Sequence, residues 1–237
     1  EMSREQITQR VLCSEARVNL HGMRHGMLSP SAFKSLEREA DRVRKAPIYI
    51  DDAANITILE LRAKARRLKA KYNVQLVAVD YIQLMQGRRR AESRQQEIAE
   101  ISRGLKLLAK ELSVPVLAMA QLSRKVEDRQ ERNPFAKPQL SDLRESGALE
   151  QDADVCAFIH HPWNVGAGAG ERQMAEDEAS DDSAPGRMGR SGSSHGKLGE
   201  AELIVAKQRN GPTCVIKLTF HKEYARFDDY SPRIEES

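Results

Sequence analysis

Short, almost purely apolar runs alternate along this chain with longer stretches in which apolar residues recur every three or four positions. The first kind reads as strand and the second as amphipathic helix. Residues 3–20 predict a helix, with Ser3 and Gln6 in capping-box spacing and Ile7, Val11 and Val18 on its apolar face. Residues 30–45 predict a second, charged helix starting near Ser29-Pro30. Pro47–Ile50 reads as a short strand closed by Asp51-Asp52. Thr57 and Glu60 form another cap, followed by Ile58, Leu61, Ala65, Leu68 and Tyr72 at helical spacing. Val74–Val79 is nearly all apolar and ends in Asp80, as expected of a strand buried on both faces. A third long helix carries Ile98, Ile101, Leu105, Leu108 and Leu112 on one side.

Val114–Ala120 predicts the next buried strand, and Asp154–Ile159 and Glu202–Ala206 two more. From Cys214 to His221 the residues alternate as in a half-exposed strand. Asn210-Gly211 before it is a hairpin signal. Residues 123–140 are polar, contain Pro134 and Pro138, and read as a mobile loop. Strands alternating with helices of about 15–20 residues give the α/β class, a mostly parallel sheet flanked by helices, here finished by antiparallel strands. Residues 164–197 are rich in Gly, Ser, Ala, Asp and Glu with almost no large apolar side chain. Such a segment buries too little to offset its ordering entropy, so an insertion loop without order or chemistry is expected there.

Composition narrows the partners. The 237 residues suit one large domain or two small ones, and 38 Lys+Arg against 35 Asp+Glu neither demand nor exclude nucleic acid. Basic clusters at Arg66-Arg67, Arg88–Arg90 and Arg124–Arg132 suit an anionic partner, although charge runs are commonly just solvated surface. Cys13, Cys156 and Cys214 are widely spaced, without metal-ligand or disulfide patterning, which fits a reducing cytoplasm. No apolar run approaches the ~20 residues of a membrane span. The chain opens on Glu1 rather than Met, and a fragment is the expectation.

Several residues invite chemistry, each beside a plainer alternative. Asp80 ends a predicted parallel strand at the edge where α/β sheets bind ligands, and suits a Walker B carboxylate holding Mg²⁺. Its alternative is a turn aspartate. Gln121 ends the next strand and would sense a γ-phosphate if the strands are neighbours; its alternative is a loop glutamine. Glu1 has position alone to recommend it as a base for attacking water. Lys207 and Arg209, two residues apart on an extended chain, face one side, as in an arginine finger; the alternative is a solvated basic hairpin. Arg144 before Gly147 can set a cation and backbone N–H groups against a phosphate, or can be part of an ordinary helix cap. His160-His161 makes a poor metal pair, because adjacent residues rarely ligate one ion.

Taken in order, Glu1-Met2-Ser3, Leu12–Ala16, Ala46–Asp52, Leu61–Arg67, Val79-Asp-Tyr-Ile-Gln-Leu-Met85, Glu92–Arg94, Leu107–Leu112, Asp142-Leu-Arg-Glu-Ser-Gly147, Glu150–Asp154 and Ala206-Lys-Gln-Arg-Asn-Gly-Pro-Thr213 resemble the C-terminal motor domain of DnaB-type replicative DNA helicases. The resemblance covers nearly everything but residues 164–197. It implies a RecA-like ATPase core over residues 1–237, using ATP and Mg²⁺, in a ring hexamer that moves on single-stranded DNA. Primase and a helicase loader are implied as partners. By this resemblance Glu1 activates water, Asp80 is the Walker B aspartate and Gln121 the γ-phosphate sensor. Lys207 and Arg209 reach the ATP of the adjacent subunit, and Arg144, Glu145 and Gly147 follow the DNA backbone.

The family's Walker A loop and N-terminal collar domain have no counterpart here, so the expectation is a truncated or split motor that does not hydrolyse ATP alone. The insertion is longer than in the family, and Cys214 replaces a small residue. A RecA-type recombinase is the nearest alternative, and a non-catalytic DNA-binding or partner-binding module is the alternative of another class.

Overall fold

The computed structural model describes residues 2–87, 93–123, 125–133, 135–161 and 198–230. The expected insertion at 164–197 and the candidate base Glu1 lie outside them. Helix α1 (Arg4–Ala16) begins at a complete Ser3/Gln6 capping box, but stops earlier than its periodicity predicts. Arg17 turns into the left-handed region (φ 53°, ψ 44°), and its N–H returns to the carbonyls of Cys13 and Ser14. That turn lets a separate short helix, α2 (Leu20–Arg24), fold back, and α3 (Pro30–Lys45) follows with Pro30 in its first turn. Cys13, Ala16, Val18 and Leu36 bury one small core between these helices.

The larger core belongs to α4 (Ile58–Tyr72), β1 (Val77–Val79) and α5 (Arg94–Leu112). Its members are Ile58, Val79, Ile82, Met85, Ile98, Ile101 and Leu105. The helices approach closely at Gly104, where a Cβ would lie 2.3 Å from Ile58 Cγ1. Arg62 and Arg66 of α4 both grip Glu111 of α5, and the two guanidiniums hold that carboxyl down at about 2, Arg66 contributing most.

β1 pairs in parallel with β2 (Val116–Ala118), Val79 facing Ala118. A four-stranded antiparallel sheet follows in the order β3 (Val155–His160), β4 (Leu198–Gln208), β5 (Cys214–His221), β6 (Arg226–Asp229). The α/β class and the C-terminal antiparallel hairpin are therefore both present. Arg226 ties the sheet to α1 through Glu15 Oε1 at 3.3 Å and Ser14 O at 3.4 Å. Among the described residues no helix is long and apolar enough to cross a membrane.

Three expectations need correction. Pro47–Ile50 forms no strand, since no described strand lies beside it to complete a ladder; Tyr49 instead stacks on Tyr72 of α4. The parallel strands are shorter than their apolar runs and are not buried on both faces. Val79 enters the core, while Ala78, Leu76 and Leu117 are exposed, because α5 covers one side. Residues 123–140 are not simply a loop, for α6 (Lys125–Arg132) forms within them, with Val126 buried. Asn210-Gly211 lies in the connection of the β4–β5 hairpin it signals, between the closing pair Val205 and Cys214.

Candidate functional site

Parallel pairing of β1 and β2 brings Asp80 and Gln121 to the same end of adjacent strands, the C-terminal end at which α/β sheets bind ligands. Two backbone bonds continue the pairing past the strand ends, Met119 N–H to Val79 O at 2.9 Å and Ile82 N–H to Met119 O at 2.9 Å. Gln83 then clamps the Gln121 backbone from both sides. Its amide donates to Gln121 O at 3.1 Å and accepts from Gln121 N–H at 3.2 Å. Sequence reasoning missed Gln83, whose only signal was its place within Asp80-Tyr-Ile-Gln. Arg94 donates to Gln83 O and pairs with Glu97, which in turn accepts from Gly87 N–H at 2.6 Å. The turn after Asp80 is thereby fastened to the start of α5.

Asp80 is exposed, and among the described residues its carboxylate has no counter-cation. The Gln121 side-chain amide is likewise exposed and without a hydrogen-bond partner among those residues. An exposed carboxylate at this strand end fits a nucleotide-bound Mg²⁺, which keeps several waters and takes one or two protein carboxylates plus phosphate oxygens. Among the described residues no three or more His, Cys, Asp and Glu side chains gather to hold an ion by themselves.

Lys207 and Arg209 face one side, as their spacing predicts, and that side is the end of α7 (Gly147–Asp152). Lys207 Nζ donates to Glu150 O, and Arg209 Nη2 reaches Gln151 O at 3.5 Å. A register shift between Cys156 and Ala157 sets Lys207 opposite Cys156 while Val205 faces Ala157. Such a bulge re-aims the side chains beyond it. Asp154 grips Arg209 twice, its carbonyl accepting Arg209 N–H at 2.8 Å and its Oδ1 lying 3.0 Å from Arg209 Nη1. Lys106 of α5 binds the other carboxylate oxygen. Lys106 first, then Arg209 and Lys207, hold the Asp154 carboxyl below the usual carboxylate range.

Arg144 and Glu145 belong to the 3-10 helix Leu140–Ser146, and Gly147 opens α7 directly behind them. Gly147 is exposed, with open space where a Cβ would stand, so a ligand backbone can approach it. The segment is anchored at Asp142, only 4% exposed, which accepts from Arg129 Nη1 at 3.0 Å, Arg129 Nη2 at 2.5 Å and Gln139 N–H at 2.7 Å. Burial alone would raise the Asp142 carboxyl, but Arg129 and the Gln139 N–H more than offset it and bring it below the usual range. His160, the weak metal candidate, is buried, and burial pushes its imidazole down; His161 packs on Phe220 and Phe227. Thus Asp80 and Gln121 share one strand end, whereas Lys207, Arg209 and the Arg144 segment gather around α7.

Residues 1–229 match the DnaB-like helicase C-terminal domain family. A replicative DNA helicase DnaB of Leifsonia xyli subsp. xyli is 44% identical over 232 residues, covering 98% of this chain and 44% of that protein. That of Geobacillus stearothermophilus is 40% identical over 238 residues, covering all of this chain and 46% of the relative. The chain thus spans less than half the length of these two relatives. Among solved structures, a DnaB-like replicative helicase studied with its interactions with primase superposes with a TM-score of 0.75 at 30% identity, over 98% of this chain and 49% of that one. A second solved structure, of an ATPase domain, gives a TM-score of 0.75 at 31% identity, over 98% of this chain and 72% of that one.

Proposed function

The chain belongs to the DnaB-like helicase C-terminal domain family, and from that premise we propose that it is part of the ATP-driven motor of a hexameric replicative helicase acting in the cytoplasm. This motor translocates on single-stranded DNA and unwinds duplex, with primase and a helicase loader as partners, and residues 1–237 form one partial RecA-like unit. The observation that carries the reading is the pair of exposed polar side chains, Asp80 and Gln121, at the same end of adjacent parallel strands, with the Gln121 backbone fastened by Gln83.

In this reading Asp80 holds Mg²⁺, Gln121 reads the γ-phosphate and Glu1 accepts the proton of the attacking water. When bound, Mg·ATP supplies the scissile phosphoanhydride and the cation that neutralises its oxygens. Lys207 and Arg209 extend to the ATP of the adjacent subunit, where a preorganised cation stabilises transition-state charge. Arg144, Glu145 and Gly147 follow the DNA backbone, a mode of contact indifferent to base sequence. The sequence contains no Gly-Lys-Ser/Thr loop to cradle phosphates, so the 237 residues alone do not turn over ATP.

The test is Arg209→Ala in the complete encoded protein. Loss of ATPase with nucleotide binding retained is the expected result, and full ATPase activity ends the finger assignment. The relatives' helicase names give the recombinase alternative no support. Strand exchange without unwinding by the complete protein would restore it.

A further inference from the structure

Resting on that reading, we propose that Asp154 is a positioning residue that tethers Arg209 to its own chain and makes delivery of the finger depend on α7. The Asp154 carboxylate and a nucleotide phosphate are competing anions for one guanidinium. While Nη1 sits 3.0 Å from Oδ1, that donor is withheld from any other subunit. The hold is graded, because Lys106 occupies the second carboxylate oxygen and shares its charge. Half of the Arg209 side chain (51%) stays open to solvent, so a stronger anion has access to it.

The neighbouring contacts give the tether a direction of control. α7 is only six residues long, and Glu150 and Gln151 present carbonyls that its own N–H groups do not use. Those carbonyls take Lys207 and Arg209. The other end of the same helix is Gly147, behind the Arg144 segment. α7 is clamped to α5 by Ser102 Oγ, which lies 2.7 Å from Asp152 Oδ2 and 3.5 Å from Ala148 O. Lys106 lies one turn further along α5. A displacement of the Arg144 segment by a bound phosphate backbone therefore moves the carbonyls that hold the finger, and favours its release toward ATP.

The experiment measures ATP turnover by the complete encoded protein with and without single-stranded DNA, for Asp154→Asn and Lys106→Met. Asp154→Asn removes the competing charge but keeps the backbone bond to Arg209. It raises DNA-free turnover about two- to five-fold, the range an exposed ion pair commands, and lowers the DNA stimulation factor correspondingly. Lys106→Met leaves Asp154 wholly to Arg209 and shifts both quantities the opposite way. Opposite signs are the signature of a tether, since a merely structural network loses activity in both variants. Equal losses in both, or no change in either, overturn the proposal. Arg209→Ala separates this from the underlying reading. If that variant is inactive while Asp154→Asn behaves as wild type, only the tether fails; if it is fully active, the finger reading fails with it.

Discussion

Asp142→Asn removes one charge from a buried ion pair while keeping the side chain's shape. Asp142 is 4% exposed and its partner Arg129 33% exposed. The carboxylate accepts two guanidinium N–H groups and the Gln139 N–H, and its own carbonyl accepts Ser123 N–H at 3.2 Å. Breaking a fully buried pair from one side costs ~3–5 kcal/mol, because the remaining charge is left uncompensated. A third of Arg129 is open to water, which brings the expected loss below that range, to about 2–3 kcal/mol. For a chain of this size that is a fall in Tm of roughly 5–10 °C. Urea unfolding followed by circular dichroism, on the wild type, Asp142→Asn, Arg129→Met and the double variant, separates the pair from its surroundings. Removing Arg129 as well recovers part of the loss, since the orphaned charge is gone. A loss below ~0.5 kcal/mol in Asp142→Asn, or no recovery in the double variant, refutes the argument. Acid acts in the same direction. The Asp142 carboxyl is depressed in the folded chain, so its contribution is whole above the unfolded value near ~4 and is lost as pH falls through the folded one.

Gly104→Ala drives a Cβ into Ile58 Cγ1 and costs about 1–3 kcal/mol in urea unfolding; an unchanged midpoint means the two helices do not approach this closely. Gln83→Ala frees the Gln121 backbone, and in the complete protein lowers kcat for ATP more than it raises KM; unchanged kcat shows that the clamp has no bearing on catalysis. Glu111→Gln removes the α4–α5 clamp at neutral pH. Because Glu111 titrates at about 2 when folded, its Tm difference from wild type shrinks as pH falls from roughly 4 toward that value; a pH-independent difference contradicts the ion-pair explanation.

Helix starts were legible because caps are local. The Ser3/Gln6 and Thr57/Glu60 boxes are present as spaced, and Ser29-Pro30 opens α3. The helix end at Ala16 was not legible, since Arg17 enters the left-handed region without the glycine that usually announces it. Strand lengths were overestimated for a different reason. Apolar content marks what a residue tolerates, but a strand exists only where a neighbour supplies hydrogen bonds, so Pro47–Ile50 stays irregular and Val114–Ala120 pairs over three residues. Asp80 and Gln121 stood out because both close apolar runs, and the pairing of β1 with β2 brings them to the same end of adjacent strands. Gln83, Arg129 and Asp154 were missed because their partners lie 38, 13 and 55 residues away in sequence (Gln121, Asp142 and Arg209). Nothing in a polar residue announces a contact over that distance.

The proposed nucleotide site rests on Asp80 and Gln121, in a motor proposed to be stimulated by DNA. The most direct test compares ATP hydrolysis, with and without single-stranded DNA, by the 237-residue chain, by the complete encoded protein and by its Asp80→Asn variant. Turnover confined to the complete protein, stimulated by DNA and abolished in Asp80→Asn while nucleotide still binds, is the predicted result. Undiminished turnover in Asp80→Asn, or none in the complete protein, contradicts it.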